Sequence, residues 1–280
     1  MKKWILFFCC IILLLISTGC SKTSAKNTEA VPRQQHGLII AGSGSNIPHI
    51  RILVDKFNAI YNLDLRVPNS IGSVGAIKGV SEGSIDLGFT SRPLSEAERA
   101  TGLQEIQYAK MGLIIACHDD VPDNDVSVEE LIQIYRGEKT AWSNGKWIVP
   151  LTMYLGDSTN EVLIADIPGF KETLTNAIQT KRALEFYNNQ SLDLALGNTP
   201  SSIGFTNLVP RQGSGVKTMK LNGIAPSKEN ILNGSYRWTK NVYFIYKDPL
   251  NKDVKEFIDF TFSDQGRQLL EANGSIPLSR

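Results

Sequence analysis

The chain has 280 residues, 42% of them hydrophobic and 20% charged, a globular balance that excludes a disordered polypeptide. Lys and Arg together exceed Asp and Glu by one, so no strong field draws in nucleic acid or an anionic surface, and no nucleic-acid partner is expected. With four cysteines and three scattered histidines there is little material for a Cys- or His-rich metal site.

The first element is a leader. Lys2 and Lys3 precede an apolar run over residues 4–16, followed by Ser17, Thr18, Gly19 and Cys20. Thirteen apolar residues are too few to span a bilayer core of about 30 Å but suit the core of a signal peptide over 1–19. The segment resembles a bacterial lipoprotein signal. That resemblance implies a palmitate-type lipid on Cys20 and an extracytoplasmic chain anchored to the membrane, in a periplasm or on the outer cell surface. An ordinary cleaved leader with Cys20 as a bystander is the alternative. Cleavage removes Lys2 and Lys3 and takes the net charge from +1 to −1. It also removes Cys9 and Cys10, and lipidation occupies Cys20, so Cys117 stands alone and no intrachain disulfide is expected. Residues 20–36, rich in Ser, Thr, Lys, Asn and Gln, read as a tether.

From there the pattern alternates. Residues 38–41 form a short apolar strand ending at Gly42, and Ile47, Ile50, Val54, Phe57 and Ile60 have helical spacing. A strand near 65–67, a helix over 76–82 stopped by Gly83, and a strand over 85–89 follow, then a buried strand over 111–117. Ser127 with Glu130 makes a capping box for a helix through Tyr135, stopped at Gly137. Asn144-Gly145, between Trp142 and Trp147, predicts a tight turn with the tryptophans packing on the hairpin, leading to a strand over 149–154. Helices are predicted over 161–165, 170–179, 253–262 and 265–272, and strands over 203–206, 216–221 and 242–246. Alternation of this kind implies an α/β fold with a mainly parallel sheet flanked by helices.

Small polar residues gather where strands meet helices. The segments are Gly42-Ser43-Gly44-Ser45-Asn46, Ser70-Ile71-Gly72-Ser73-Val74-Gly75 and Gly156-Asp157-Ser158-Thr159-Asn160. Helix N-termini leave N–H groups unpaired at the positive end of the dipole, glycine lets a ligand approach the backbone, and hydroxyls add rotatable donors. Converging on one point, such turns make a site for a tetrahedral oxyanion; taken singly, each is more often only an ordinary helix cap. Arg92, after Thr90-Ser91, offers a guanidinium able to bind two oxygens.

In order, these segments resemble the substrate-binding proteins of ABC-type phosphate importers. Gly83-Ser84-Ile85-Asp86-Leu87-Gly88-Phe89-Thr90-Ser91-Arg92, Ser202-Ile203-Gly204-Phe205 and Gly274-Ser275-Ile276-Pro277-Leu278 extend the likeness over most of the chain. The resemblance implies a two-lobed periplasmic-binding-protein fold of type II that closes on its ligand. Residues 37–117 with 242–280 would build lobe one and 118–241 lobe two, the chain crossing near Cys117 and Val242. The implied ligand set is Ser43, Gly44, Ser45, Asn46, Ser73, the Gly75 amide, Ser91 and Arg92 from lobe one, with Asp157, Ser158 and Thr159 from lobe two. The sequence departs from the family at two places: Arg92 stands where an Asp is usual, and Thr152 where the second lobe carries an Arg. An exchange of roles follows as an expectation, with Arg92 as cation and Asp157 as acceptor of the anion's proton; Asp157 as a helix N-cap is the competing reading.

The function so implied is a monomeric, cofactor-free carrier that captures inorganic phosphate or a related oxyanion and delivers it to an ABC transporter permease. A sensory or adhesive protein on the same fold, or a binder of sulfate, tungstate, molybdate or a phosphonate, is the alternative. An enzyme is not expected: His49 alone lies near a Ser-rich loop and falls within a helix, and neither a metalloprotease His pair nor a P-loop lysine is present.

Overall fold

The computed structural model describes residues 37–209 and 213–280; the leader, the lipidation site at Cys20 and the tether lie outside the described residues. β1 (Ile40–Gly42) runs through a single 3-10 turn (Gly44–Asn46) into α1 (Ile47–Tyr61). Ile47, Ile50, Leu53, Val54 and Phe57 bury one stripe of α1, Pro48 occupies the first turn where no N–H is needed, and left-handed Asn62 ends it. α2 (Gly72–Glu82), closed by left-handed Gly83, leads to β2 (Leu87–Thr90), α3 (Glu96–Arg99) and the long β3 (Leu103–His118). β4 (Asp125–Val126) precedes α4 (Val128–Arg136), which has the reciprocal Ser127–Glu130 capping box and Gly137 at its end. Next come β5 (Val149–Met153), α5 (Ser158–Asp166), α6 (Phe170–Gln179), β6 (Leu184–Phe186), α7 (Asn189–Asn198) and β7 (Ser202–Asn207). β8 (Val216–Thr218), β9 (Lys220–Leu221), α8 (Lys228–Leu232), β10 (Thr239–Lys247), α9 (Lys252–Phe262), α10 (Asp264–Ala272) and β11 (Ser275–Pro277) complete the order.

The main sheet runs β1-β2-β10-β3-β7-β5-β6, with β8 and β11 also paired to β3. Its flanks are parallel, β1 to β2 and β5 to both β6 and β7, as the strand-helix alternation predicts. The connecting strands β3 and β10 pair antiparallel with each other and with their other neighbours, so the sheet as a whole is mixed.

β3 changes partner midway. Residues 103–112 pair with β10, and Leu113 to Cys117 pair with β7. The core changes with it: Tyr108, Ala109 and Met111 pack with Ile50, Phe57, Phe244 and Phe257, whereas Leu113, Ile115 and Cys117 pack with Leu131, Phe170, Phe205 and Trp238. Burial on each side of the switch pins the register, because a one-residue slip would exchange the two faces. The change falls between Gly112 and Leu113, and Trp238, just ahead of β10, is the last residue of the second core apart from Ile276.

Other expectations shift locally. The strand near 65–67 is a single bridge between Ile39 and Arg66. α2 starts at Gly72 rather than 76, because left-handed Gly72 turns the chain into the helix one turn ahead of Ala76, Ile77 and Val80, which bury it. Trp142 is buried and donates its indole N–H to Ser201 O (2.9 Å), but Trp147 is 74% exposed, so the two rings do not pack as a pair.

Candidate functional site

The first wall begins at the end of β1. A Cβ on Gly42 would lie 1.9 Å from Phe89 O, so only glycine lets β1 close onto β2 here, and Ser43 N–H donates to that carbonyl (3.0 Å). Three buried hydroxyls then meet: Ser43 Oγ lies 3.1 Å from Ser45 Oγ, Ser45 Oγ lies 2.8 Å from Ser91 Oγ, and Ser91 Oγ donates to Ser43 Oγ (3.0 Å). Asn46 Oδ1 accepts from Ser45 and Ser91, while its Nδ2 donates to Thr90 O (3.0 Å). The cluster ties the loop after β1 to the end of β2. Ser91 N–H donates to Ser73 Oγ (3.2 Å), which binds the N-terminus of α2 to the same centre.

The opposite wall comes from α5 and α7. Asp157 is the N-cap of α5, its Oδ1 accepting from Thr159 N–H (2.7 Å). Asn188 caps α7 in the same way, accepting from Ser191 N–H (2.8 Å). Asn189 is 6% exposed and its Nδ2 has no hydrogen-bond partner. Its Oδ1 would lie 3.1 Å from a Cβ on Gly44, so the glycine makes room for this close approach.

Between the walls lies a cleft of about 360 Å³, lined by Ser43, Gly44, Ser70, Gly72, Ser73 and Arg92 on one side and by Asp157, Ser158, Glu161, Asn188 and Asn189 on the other. Ile71, Val74, Tyr154 and Tyr187 also line it, the two tyrosine rings stacked at 5.9 Å. At about 30 Å³ per water the space holds on the order of ten waters. The N-termini of α2, α5 and α7 and the short turn before α1 all reach this cleft, so three positive helix ends and several hydroxyls surround one space. Such an arrangement stabilises an anion with no excess of formal charge.

Arg92 lines the cleft, but its guanidinium grips Glu98: both terminal nitrogens donate to the carboxylate at 2.8 Å, and one also donates to Pro93 O. The Glu98 bond raises the Arg92 pKa, and the same bond draws the Glu98 carboxyl down to about 2. The cation is therefore held at the wall with much of its donor capacity already engaged, a qualification to its expected role.

Lys240, behind the opposite wall, is buried, and its Nζ donates to Thr159 Oγ1 (2.7 Å) and Ser158 Oγ (3.3 Å). Burial pulls its pKa down, and the charges of Asp157 and Glu161 pull it up. Among the described residues no group of three or more His, Cys, Asp or Glu could hold a metal ion. Cys117 is buried, and desolvation pushes its thiol up to about 12.

Of the residues expected from sequence, Ser43, Gly44, Ser73, Arg92, Asp157 and Ser158 meet in this cleft. Ser45, Asn46 and Ser91 sit directly behind it in the hydroxyl cluster, and Thr159 is buried under Lys240. Gly75 does not line the cleft: with α2 starting at Gly72, it is the fourth residue of the helix. Asp157 acts as an N-cap and lines the cleft as well. Sequence reasoning missed Lys240, Glu161, Asn188 and Asn189. The polar run Asn188-Asn189-Gln190-Ser191 ahead of Leu192 carried the cap pattern that marks α7; nothing marked Lys240.

The fold and the cleft define an α/β binding protein of two lobes with a polar hollow between them. The chain belongs to the PBP superfamily, whose domain matches residues 26–265. It is 25% identical over 248 residues to the phosphate-binding protein PstS of Borreliella burgdorferi, covering 84% of this chain and 88% of that one. It is 21% identical over 295 residues to PstS of Bacillus subtilis, covering 99% and 95%. Among solved structures it is similar to a phosphate ABC transporter substrate-binding protein from Clostridium perfringens with bound phosphate, at a TM-score of 0.75 and 26% identity over 86% of this chain and 99% of that one.

Proposed function

We propose that the protein is an extracytoplasmic substrate-binding protein of an ABC importer that captures phosphate, held to the membrane by a lipid on Cys20. The observation that carries this reading is the convergence of three helix starts, the Ser43 and Ser73 hydroxyls and the unpartnered Asn189 Nδ2 on one cleft, a set of donors suited to an anion. The phosphate-binding relatives support the choice of anion.

The lobes divide at the switch in β3: residues 37–112 with 239–280 form lobe one, and 113–238 lobe two. The ligand contacts both and draws them together, replacing the cleft's water with fixed donors. Asp157 and Glu161 select among anions. A carboxylate can accept a hydrogen bond from hydrogen phosphate, which retains a proton, whereas fully ionised sulfate has none to offer. The monomer then presents the closed lobes to its permease, acting as a carrier and catalysing nothing.

Calorimetry of the mature chain against phosphate, sulfate, tungstate and a phosphonate tests the reading. Phosphate is expected to bind tightest. Absence of binding to every oxyanion overturns the function, and sulfate binding as tightly as phosphate overturns the acceptor role of the carboxylates.

A further inference from the structure

We propose that Lys240 is a positioning residue for the anion: its buried ammonium turns the Ser158 hydroxyl into an obligatory donor toward the cleft and sets a positive charge behind that wall. This deepens the proposed oxyanion reading and rests on it.

Lys240 lies in β10, opposite Met111 of β3, and is 1% exposed. Its recorded hydrogen bonds go to two hydroxyls of α5, and among the described residues it forms no ion pair. An ammonium removed from water without a paired carboxylate is costly, and a well-packed apolar side chain of similar volume is often no less stable. The surroundings add to that cost, because the cation sits at the N-terminus of α5, the positive end of the helix. Asp157 at the cap and Glu161 in the first turn offset part of it from a distance. The lysine is therefore poorly explained by stability alone, and an incoming anion supplies what the site lacks.

Hydroxyl chemistry gives the route. An ammonium carries donors only, so Ser158 Oγ must accept from it, and the serine's own proton is left to be donated elsewhere. Ser158 lines the cleft and Lys240 does not. The charge thus acts through Ser158, polarising its O–H toward an acceptor in the cleft. Because β10 directly follows the crossing into lobe one, the same contact also joins the hinge region to the lobe-two wall.

The test compares affinity with stability. Wild type is first titrated with inorganic phosphate by calorimetry; no binding there overturns the function itself and is distinguishable from failure of this inference. Lys240→Met is expected to weaken phosphate binding on the order of tenfold to a hundredfold, from loss of a charge-assisted interaction, while the thermal midpoint without ligand holds or rises. Lys240→Arg should recover part of the affinity. Ser158→Ala should weaken binding too, and the double variant should lose less than the two single losses combined, since one residue acts through the other. Unchanged phosphate affinity in Lys240→Met overturns the proposal. So does a loss of affinity accompanied by a fall in the midpoint without ligand, which would make Lys240 a structural residue, and so does full additivity with Ser158→Ala.

Discussion

The two walls of the cleft solve one problem with different chemistry. In lobe one, Ser73 Oγ accepts from the Ser91 backbone N–H, and in lobe two Ser158 Oγ accepts from the Lys240 ammonium. Both serines line the cleft, and in each an internal donor occupies the oxygen so that the proton is free for a guest. The lobe-one donor is a neutral amide within a closed set of hydroxyls, and its nearby cation, Arg92, is tied to Glu98. The donor to Ser158 is charged, comes from β10, and feels the charges of Asp157 and Glu161 from a distance. Under the proposed function, the Ser43 and Ser73 wall would hold any tetrahedral oxyanion, whereas the wall of Asp157 and Glu161 would discriminate by proton and charge.

Three changes break or sharpen this contrast. The largest effect is expected from Ser43→Ala with Ser73→Ala, which removes two lobe-one hydroxyls. At about 1.5–3 kcal/mol for each bond to a charged group, phosphate, sulfate and tungstate should all lose about a hundredfold or more in calorimetry. A loss confined to phosphate would reverse the assignment of roles. Asp157→Asn should act differently. Asn caps a helix as well as Asp, so the thermal midpoint should hold while the preference for phosphate over sulfate falls by about tenfold. An unchanged ratio would reduce Asp157 to its capping role.

The smallest effect concerns the pinned Arg92. The Glu98 carboxyl titrates at about 2 in the fold against 4.5 as its ordinary value. A depressed carboxyl stabilises the fold above the ordinary value and loses that contribution as pH falls toward the folded one. Wild type should thus exceed Glu98→Gln in stability by about 1 kcal/mol at pH 7, with the gap closing between about pH 4.5 and 2 in thermal melts. A gap independent of pH would mean that the ion pair contributes nothing.

Much of this was legible in the sequence where local rules decide. α4 was announced by Ser127, Glu130 and Gly137, and α6 by the buried stripe Phe170, Thr173, Leu174 and Ala177. The Ser- and Gly-rich turns were recognisable because capping and close approach demand particular residues. α7 was hidden: Leu192 and Leu196 are buried four apart, but exposed Leu194 and the interior Gly197 blur the stripe. The polar start of β10, Thr239-Lys240-Asn241, reads as loop, and a lysine buried there contradicts the rule that places charge outside. Which helix starts meet across the cleft depends on pairings between distant strands, and no local pattern records those.

The partition of β3 and β10 also bears on how the molecule is made. β2 finds its inner neighbour only in β10, and Phe57 of α1 meets Phe257 of α9 edge-on at 5.4 Å. The first core to be translated thus lacks its closing strand and helices until nearly the whole polypeptide has been synthesised, while the second core is drawn from residues 113–238 apart from Ile276. Long-range closure of this kind keeps the early segments loose during synthesis, a state compatible with threading a chain across a membrane before it folds.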